Sequence, residues 1–539
     1  MSDVVASPLL NVIFRALDND RSFEAAVECL CAVFKETREV DEYIPTITTL
    51  LPRVLALQPR IAQAAQEEDT EMYKGITRIF AEAGEAWVIL IAREPTSFRP
   101  LVEAILECAA RDIDREAISL TFIFWYEFKL YLILERYIEA RVQYVDVYSQ
   151  LVDVMLKQLE YPGTDGRSDT DLFDGDREAE EKYREFRHLM GDVLKDCCEI
   201  MGVTECLAKV LNRIKSWMSS YAGQATPESV PYWQQLEAPL FSMRAMGRMV
   251  DKDEDIILPQ IIPLIVQIPP HEKLRFAAIM VLGRYTEWTA NHPELLESQF
   301  TYIVSSFSTD SKEIIRAAAM SMKYFCTDCK HLLSGQVQQL QQFYDQTLDK
   351  LPMLSQEELT EGVASVVAVQ PVPQIFPLLK LYCDPLMNRL MALANKATDE
   401  DGKLAVAGKF YLLCSLHGIF IDVQTRPPRA CSHFSADSVA LCGGRTGESC
   451  RRILPGNLSS SGNHSRHFHH LLSHRRASVQ GVAIYGTFIS HCHGSITSAN
   501  GHQTGRRICC LKARMLLVGK HVDTSRIFRR ARVRGSANH

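Results

Sequence analysis

The sequence lacks the features that mark a membrane protein, a secreted protein or a familiar enzyme. Its longest aromatic-rich run, from Ile118 to Tyr126, is broken by Glu127 and Lys129 and is too short to span a bilayer. The start, Met1-Ser-Asp, has no basic segment followed by an apolar core, so we expect no signal peptide. None of the patterns G-x-x-x-x-G-K-[ST], G-x-S-x-G or H-E-x-x-H occurs. We therefore expect neither a membrane protein nor an enzyme.

Basic residues are also scarce in most of the chain, and their distribution divides it in two. Residues 411–539 contain 18 Lys and Arg against 4 Asp and Glu, a formal charge of +14. Subtracting these counts from the chain totals of 59 Lys and Arg and 66 Asp and Glu leaves residues 1–410 with a formal charge of −21. Duplex nucleic acids and anionic membranes attract Lys and Arg, so this acidic body favours basic protein partners, with no direct nucleic acid and no membrane.

Strictly alternating apolar residues, which would indicate strands, are scarce as well. Apolar residues instead recur at helical spacing through residues 1–408. The expected buried faces of the first two helices are Leu9, Val12, Ile13 and Leu17, then Phe23, Ala26, Cys29, Leu30, Val33 and Phe34. Prolines such as Pro52, Pro59 and Pro95 are expected at helix ends. We predict roughly eighteen helices with no sheet between them.

A repeat supports one particular helical architecture. Arg275-Phe-Ala-Ala-Ile279 and Arg316-Ala-Ala-Ala-Met320 align at a spacing of 41 residues. This spacing lies within the range of about 40–47 residues that is typical of two-helix HEAT or armadillo units. Small residues on one face also let a neighbouring helix approach closely. The predicted fold class is therefore all-α, an α-solenoid of HEAT/armadillo-like helix pairs over residues 1–408.

The longest irregular segment, residues 161–176, supplies the candidate site. Its carboxylates, which we take as candidate partner-binding residues, are Asp165, Asp169, Asp171, Asp174 and Asp176. Two interpretations remain open: a flexible anionic segment that binds Arg or Lys of a partner, and a solvated loop without a binding role. Residues 163–176 are expected to be exposed and mobile. The spacing of Asp169, Asp171 and Asp174 misses that of an EF-hand by one residue, which argues against calcium.

Other patterns that suggest metal or redox chemistry have simpler explanations. Cys326-Thr-Asp-Cys329 has no second Cys or His pair at zinc spacing and lies in a helical stretch. The nine cysteines of residues 1–410 are mostly expected in the core. The cluster of histidines at His464, His467, His469 and His470 lies in the basic C-terminal segment, whose composition is better explained by out-of-frame or intron-derived translation. We expect no cofactor, no metal and no catalytic residues.

Several strings resemble the transportin-SR branch of the karyopherin-β (importin-β) family. They are Ile118-Ser-Leu-Thr-Phe-Ile-Phe-Trp-Tyr-Glu-Phe128, Gly191-Asp-Val-Leu-Lys-Asp-Cys-Cys198, Leu240-Phe-Ser-Met-Arg-Ala-Met-Gly-Arg-Met-Val250, Leu282-Gly-Arg-Tyr-Thr-Glu-Trp288 and Thr360-Glu-Gly-Val-Ala-Ser-Val-Val-Ala-Val-Gln-Pro371. The resemblance covers residues 1–408. It implies a superhelix of HEAT repeats and a nuclear import receptor that shuttles between cytoplasm and nucleus.

The resemblance also implies partners. These are nuclear pore proteins, the Ran GTPase, and cargo proteins with Arg/Ser-rich or Arg/Gly-rich segments, such as RNA-binding and splicing factors. The acidic body of residues 1–410 suits such Arg-rich cargo. The alternative is a helical-repeat interaction scaffold without transport activity.

Two departures from the family pattern are expected. The start of the chain resembles a point inside the family's array, so the N-terminal domain with the main Ran contact is expected to be absent. The resemblance stops at Gly402-Lys-Leu-Ala-Val-Ala-Gly408, so the family's arginine-bearing cargo helix has no counterpart here. Residues 409–539 are expected to be mostly unstructured, because their burial cannot offset an ordering entropy of about 1–2 kcal/mol per residue. Isolated helix is expected only near Phe410–Leu416 and Ile508–Val518.

Overall fold

Helices account for nearly all of the regular structure. The computed structural model describes residues 8–112, 115–163, 172–226 and 229–394, together with residues 408, 409, 412, 413 and 416. Twenty α-helices lie between residues 8 and 394 of the described chain: α1 Pro8–Ala16, α2 Asp20–Glu36, α3 Val40–Leu55, α4 Pro59–Glu67, α5 Thr70–Ala86, α6 Val88–Arg93, α7 Pro95–Arg111, α8 Phe122–Leu132, α9 Ile138–Gln158, α10 Arg177–Met201, α11 Val203–Tyr221, α12 Trp233–Met246, α13 Leu258–Ile265, α14 Glu272–Leu282, α15 Thr286–Asn291, α16 Leu296–Ser305, α17 Lys312–Asp328, α18 Val337–Thr347, α19 Met353–Val367 and α20 Val372–Ala394. The same residues contain no strand, only an isolated bridge between Thr226 and Ser229. The all-α prediction is confirmed.

Of the three prolines expected at helix ends, two lie there and one does not. Pro59 and Pro95 begin α4 and α7, where a missing backbone N–H costs nothing. Pro52 contradicts the prediction, because it lies inside α3. Both Pro52 and Thr48, one helical turn earlier, are exposed. Water can therefore donate to the Thr48 carbonyl that Pro52 leaves without its usual helical partner.

The helices pack in two rows. One row runs through α2, α5, α8, α10, α12, α14, α17 and α19, with each helix packed on the next, and is named the front row. The other row runs through α4, α7, α9, α11 and α13 in the same way. Consecutive helices from the two rows form pairs, as α9 does with α10 and α11 does with α12. This arrangement is the α-solenoid that the repeat predicted.

Close approach between front-row helices depends on small residues. The helices α14 and α17 carry the two copies of the 41-residue repeat and pack together. A Cβ atom on Gly283 would lie 2.9 Å from the Cα of Ser321, and the Ser321 hydroxyl donates to the Ile279 carbonyl at 2.9 Å. A Cβ atom on Gly362 would likewise lie 2.9 Å from the Cα of Lys323. Any side chain at these two glycines would force neighbouring backbones apart.

The buried face of the first helix differs from the prediction. Leu9 and Val12 are 53% and 58% exposed, whereas Leu10 and Leu17 are buried. Because α1 has only nine residues and two adjacent leucines, periodicity alone cannot choose between neighbouring faces, and packing on α2 decides. In α2 the residues Ala26, Leu30, Val33 and Phe34 are buried as expected, whereas Phe23 is half-buried and Cys29 is exposed.

Packing divides the chain into two units, Met1–Leu378 and Leu379–His539. In the second unit, α20 buries Tyr382, Leu386 and Leu390 at helical spacing, and residues 408, 409, 412, 413 and 416 are helical. The remaining residues of the predicted unstructured segment 409–539 lie outside the described part. The boundary at residue 408 stays a prediction. Among the described helices, none is long and apolar enough to cross a membrane.

Candidate protein-interaction surface

The acidic loop connects α9 to α10, and the structure describes its two ends. The five residues after α9 (residues 159–163) and the five before α10 (residues 172–176) are described. Of the candidate residues, Asp165, Asp169 and Asp171 lie outside the described residues, whereas Asp174 and Asp176 are described and exposed. The predicted mobility of residues 164–171 therefore stays a prediction.

Asp176 has a structural role that the sequence interpretation missed. Its carboxylate accepts hydrogen bonds from the backbone N–H groups of Glu178 at 2.9 Å and Ala179 at 3.1 Å, so it caps α10. An Asp directly before a helical pattern is the sequence signal for this cap. Asp174 adopts a left-handed conformation with φ of 52°, which Asp and Asn tolerate better than most residues. Both residues thus shape the end of the loop.

The C-terminal end of the loop is anchored, which corrects the expectation of an exposed segment. Leu172 is buried, and the Phe173 ring lies 5.5 Å from the Tyr183 ring of α10. The Tyr183 hydroxyl donates to the carbonyls of Leu159 at 3.0 Å and Glu160 at 2.6 Å. Tyr183 therefore fixes both ends of the loop to the same helix.

A buried cation forms the base of the loop. The Arg187 guanidinium lies 4.5 Å from the Tyr161 ring and 4.1 Å from the Phe241 ring, and Nη2 donates to Glu237 at 2.5 Å. Burial opposes the charge of Arg187, but Glu237 and the Tyr161 hydroxyl raise its pKa above the ordinary value, so the guanidinium stays charged. The Tyr161 ring also packs 5.5 Å from Trp233. The loop thus emerges from a rigid aromatic and ionic base.

A second acidic feature lies on the front row and was not predicted. Glu82 of α5 and Glu127 of α8 both act electrostatically on Glu85 of α5. Burial, reinforced by Glu82 and Glu127, raises the pKa of Glu85 to about 7. Lys35 lies 3.1 Å from Glu82 and Arg38 lies 4.0 Å from Glu85, so two cations face the three carboxylates of the cluster. Sequence spacing gives no signal for this cluster, because α5 and α8 meet only in the fold.

Exposed apolar residues adjoin this carboxylate cluster along α8. Ile123, Tyr126 and Leu130 are 57%, 51% and 39% exposed and recur at helical spacing beside Glu127. Exposed apolar groups next to carboxylates are suited to a partner segment that carries both cations and apolar stems, as Arg does. The front row therefore offers a mixed acidic and apolar surface to a protein.

The cysteine pair lies in the core. Cys326 and Cys329 are buried free thiols, and burial raises the pKa of Cys329 to about 12. Of the nine cysteines in the described residues, eight are buried, which agrees with the packing interpretation for all but Cys29. Within the described parts of the chain, no group of three His, Cys, Asp or Glu side chains is arranged to hold a metal ion. The histidine cluster at residues 464–470 lies outside those parts.

Two protein-family models match the chain. Residues 68–158 match the second TPR domain of the Transportin-3/Importin-13 family, and residues 255–343 match the third. The first match runs from α5 through α9, including the Glu82–Glu85–Glu127 cluster. The second runs from just before α13 into α18.

Full-length relatives extend the similarity over most of the chain. An uncharacterized protein of Schizosaccharomyces pombe is 41% identical over 412 residues, which cover 75% of this chain and 42% of the relative. The mRNA transport regulator MTR10 of Saccharomyces cerevisiae is 35% identical over 432 residues, which cover 77% of this chain and 43% of MTR10. Human importin-13 is 25% identical over 422 residues, covering 76% and 42%. The chain thus spans about two fifths of the length of these relatives.

Solved structures agree on the fold. Importin-13 in its cytosolic state superposes with a TM-score of 0.63 at 15% identity, over 76% of this chain and 49% of that one. Kap121p bound to Nup53p superposes with a TM-score of 0.53 at 15% identity, over 77% of this chain and 39% of Kap121p. At identities this low, the superpositions show only that the helical-repeat fold is shared.

Proposed function

Because this chain is a member of the karyopherin-β family, in its transportin-3/importin-13 branch, we propose that it acts in nuclear import by binding protein cargo with Arg/Ser-rich or Arg/Gly-rich segments. The observation that carries the proposal is 35% identity, over three quarters of the chain, to an mRNA transport regulator. The proposed localisation is shuttling between cytoplasm and nucleus. The proposed partners are such cargo, nuclear pore proteins and Ran.

Charge supports the choice of cargo. The formal charge of −21 on residues 1–410 attracts Arg-rich segments, and the front row offers the Glu82–Glu85–Glu127 cluster beside exposed apolar residues. A guanidinium binds a carboxylate through two parallel hydrogen bonds, whereas an ammonium group binds as a point charge. We therefore expect Arg-rich peptides to bind more tightly than Lys-rich peptides of equal charge.

The test is a fluorescence anisotropy titration of the full chain with a labelled Arg/Ser-repeat peptide and a matched Lys/Ser-repeat peptide. The Arg peptide should bind, and its affinity should fall by about tenfold or more between roughly 0.05 M and 0.5 M salt as charges are screened. Equal affinity for both peptides would refute the proposed preference for Arg over Lys. Absence of binding at low salt would refute the proposed cargo class and favour the scaffold alternative.

The acidic loop is proposed to contribute to this binding through Asp165, Asp169, Asp171, Asp174 and Asp176. A variant with Asn at positions 169, 171, 174 and 176 removes charge while preserving geometry, because Asn caps helices as well as Asp and also tolerates the left-handed conformation. We expect weaker Arg-peptide binding and a flatter salt dependence. The control changes Glu139 and Glu205, two exposed carboxylates of the other row, to Gln. Because the control removes two charges and the loop variant four, an equal loss of affinity per charge removed would show that only net charge matters.

Ran and pore partners distinguish transport from a scaffold role. A relative by fold, Kap121p, has been solved bound to Nup53p, which supports a test with nuclear pore proteins. In the transport interpretation, immobilised pore-protein repeats should retain the chain, and Ran loaded with GTP should lower its affinity for the Arg/Ser peptide, by less than in a relative that carries the N-terminal Ran contact expected to be absent here. In the scaffold alternative, the Arg/Ser peptide would bind but neither of the other two proteins would have an effect.

A further inference from the structure

A basic surface interrupts the acidic body in the middle of the front row. Arg244 lies on α12, Arg248 lies in the turn that follows α12, and Arg284 follows α14. These three residues are named the arginine patch. Arg248 is exposed, and the other two are partly exposed. All three belong to the first unit of the chain.

Close helix packing brings two arginines of the patch together. A Cβ atom on Gly247 would lie 2.5 Å from the Arg284 Cγ, so the Arg284 side chain lies directly across the C-terminal turn of α12. On the other side, a Cβ atom on Gly191 of α10 would lie 3.1 Å from the Ala245 Cβ. Three front-row helices therefore converge around Arg244.

The charge of the patch is not balanced by neighbouring carboxylates. Within the described chain, no hydrogen bond or ion pair joins Arg244, Arg248 or Arg284 to a carboxylate. On α10 and α12 the neighbouring carboxylates are already engaged: Glu237 pairs with Arg187, and Asp192 pairs with Lys195 at 2.7 Å. In the segment after Arg248, Asp253 accepts a hydrogen bond from Asn291, and Glu254 accepts from the backbone N–H groups of Ile257 and Leu258. The patch is therefore a group of three arginines without a paired carboxylate, in a body of formal charge −21.

Electrostatic effects on the patch agree with this imbalance. Burial and the nearby charges of Arg187 and Arg284 lower the pKa of Arg244, while the Glu237 carboxylate acts in the opposite direction. Burial also lowers the pKa of His188 on α10, and the charges of Arg244 and Arg187 lower it further. Like charges held close together without a partner are unfavourable, and an incoming anion would relieve that repulsion.

Two apolar residues that are not fully buried lie on α10 and α12, the helices that meet at the patch. Leu189 of α10 is 52% exposed, and Phe241 of α12 is partly exposed, with its ring 6.0 Å from the His188 ring. An occupant that satisfies all of these groups carries carboxylates and at least one apolar side chain. We propose that the arginine patch docks an Asp/Glu-rich peptide segment of a partner protein, with an apolar residue of that segment seated against Leu189 and Phe241.

This surface is opposite in sign to the surface proposed for Arg-rich cargo. It therefore predicts a second class of ligand that binds without displacing the Arg/Ser peptide. The two proposals are tested by different peptides, so either one can fail alone.

The experiment titrates the full chain with a labelled peptide that contains Asp and Glu around one Leu. The double variant Arg244→Gln with Arg284→Gln should lower its affinity by about tenfold, since charge-assisted hydrogen bonds are lost. The control Arg316→Gln removes an exposed arginine of α17 and should leave the affinity unchanged. Replacing the peptide's Leu with Gln should also weaken binding. The double variant should bind the Arg/Ser peptide as well as the wild type or better.

Several outcomes would overturn the proposal. They are no binding by the wild type at low salt, equal loss in the Arg316→Gln control, and stronger binding of a phosphoserine peptide than of the Asp/Glu peptide. Circular dichroism checks that the double variant folds. If it does not fold, the single variant Arg248→Gln, at an exposed turn position, should weaken binding by about threefold. An unchanged affinity in that variant would overturn the proposal as well.

Discussion

The buried pair of Arg187 and Glu237 gives a quantitative test of how the loop base is held. Their side chains are 4% and 6% exposed, so Glu237→Gln would keep the shape but leave a buried guanidinium without its counter-charge. Removing one partner of a buried pair typically costs about 3–5 kcal/mol. The Tyr161 and Phe241 rings retain some stabilisation of the cation, so we expect a net loss of about 2–4 kcal/mol.

Urea denaturation followed by circular dichroism measures the loss of stability, and hydrogen exchange locates it. Exchange should rise first at residues 159–163 and 172–176, because Tyr183 and Arg187 fix those segments to α10. Replacing both partners with apolar residues, as in Arg187→Met with Glu237→Leu, should cost less than Glu237→Gln alone. As a control, Glu178→Gln breaks an exposed pair with Lys182 and should leave stability unchanged. A Glu237→Gln variant as stable as the wild type would refute the reasoning.

Three further predictions follow from packing, ionisation and thiol exposure. Gly283→Ala places a Cβ atom 2.9 Å from the Ser321 Cα, so urea denaturation should show a loss of about 1–3 kcal/mol. The folded-state pKa of Glu85 is raised from 4.5 to about 7, so its effect on stability is most favourable below pH 4.5 and is lost as pH rises through 7. Glu85→Gln should therefore raise the melting temperature at pH 8 and change it little at pH 4. Iodoacetamide should alkylate the exposed Cys29 before the buried Cys326, as peptide mass spectrometry would show.

Matched variants control these predictions. Gly335→Ala should be tolerated, because no atom lies within 4 Å of the added Cβ. Equal losses for the two glycine variants would mean that close packing of α14 on α17 is not the cause. Glu139→Gln, at an exposed position, should not reproduce the pH-dependent gain of Glu85→Gln. Rapid alkylation of Cys326 in the folded protein would contradict its place in the core.

The local features of this fold could be predicted from the sequence better than its long-range contacts. Helical periodicity and the 41-residue repeat predicted helix pairs and a close approach between the repeat helices, because both depend on residues near one another in the chain or on small side chains. The face of α1 was wrong, since Leu9 and Leu10 are equally apolar and only packing on α2 separates them. Arg187 and Glu237 lie 50 residues apart, so no local pattern reveals their pairing.

The candidate site was predicted in part for the same reason. A run of Asp residues is visible in the sequence, but the anchoring of Leu172 and Phe173 depends on Tyr183, which is brought near only when α10 folds back on α9. The Glu82–Glu85–Glu127 cluster and the arginine patch both arise between neighbouring front-row helices. Charges that are scattered along the sequence become surfaces of one sign only after the repeats stack.

Photo-crosslinking tests the central claim, that the front row binds Arg-rich protein segments, most directly. A benzophenone-labelled Arg/Ser peptide would be irradiated with the full chain at low salt, and the crosslinked residues would be mapped by mass spectrometry. We predict crosslinks in residues 164–176 and on α5 and α8, lost at high salt and in competition with unlabelled Arg/Ser peptide. Crosslinks confined to α7, α9 and α11, or crosslinks equally strong with an uncharged peptide, would contradict the account.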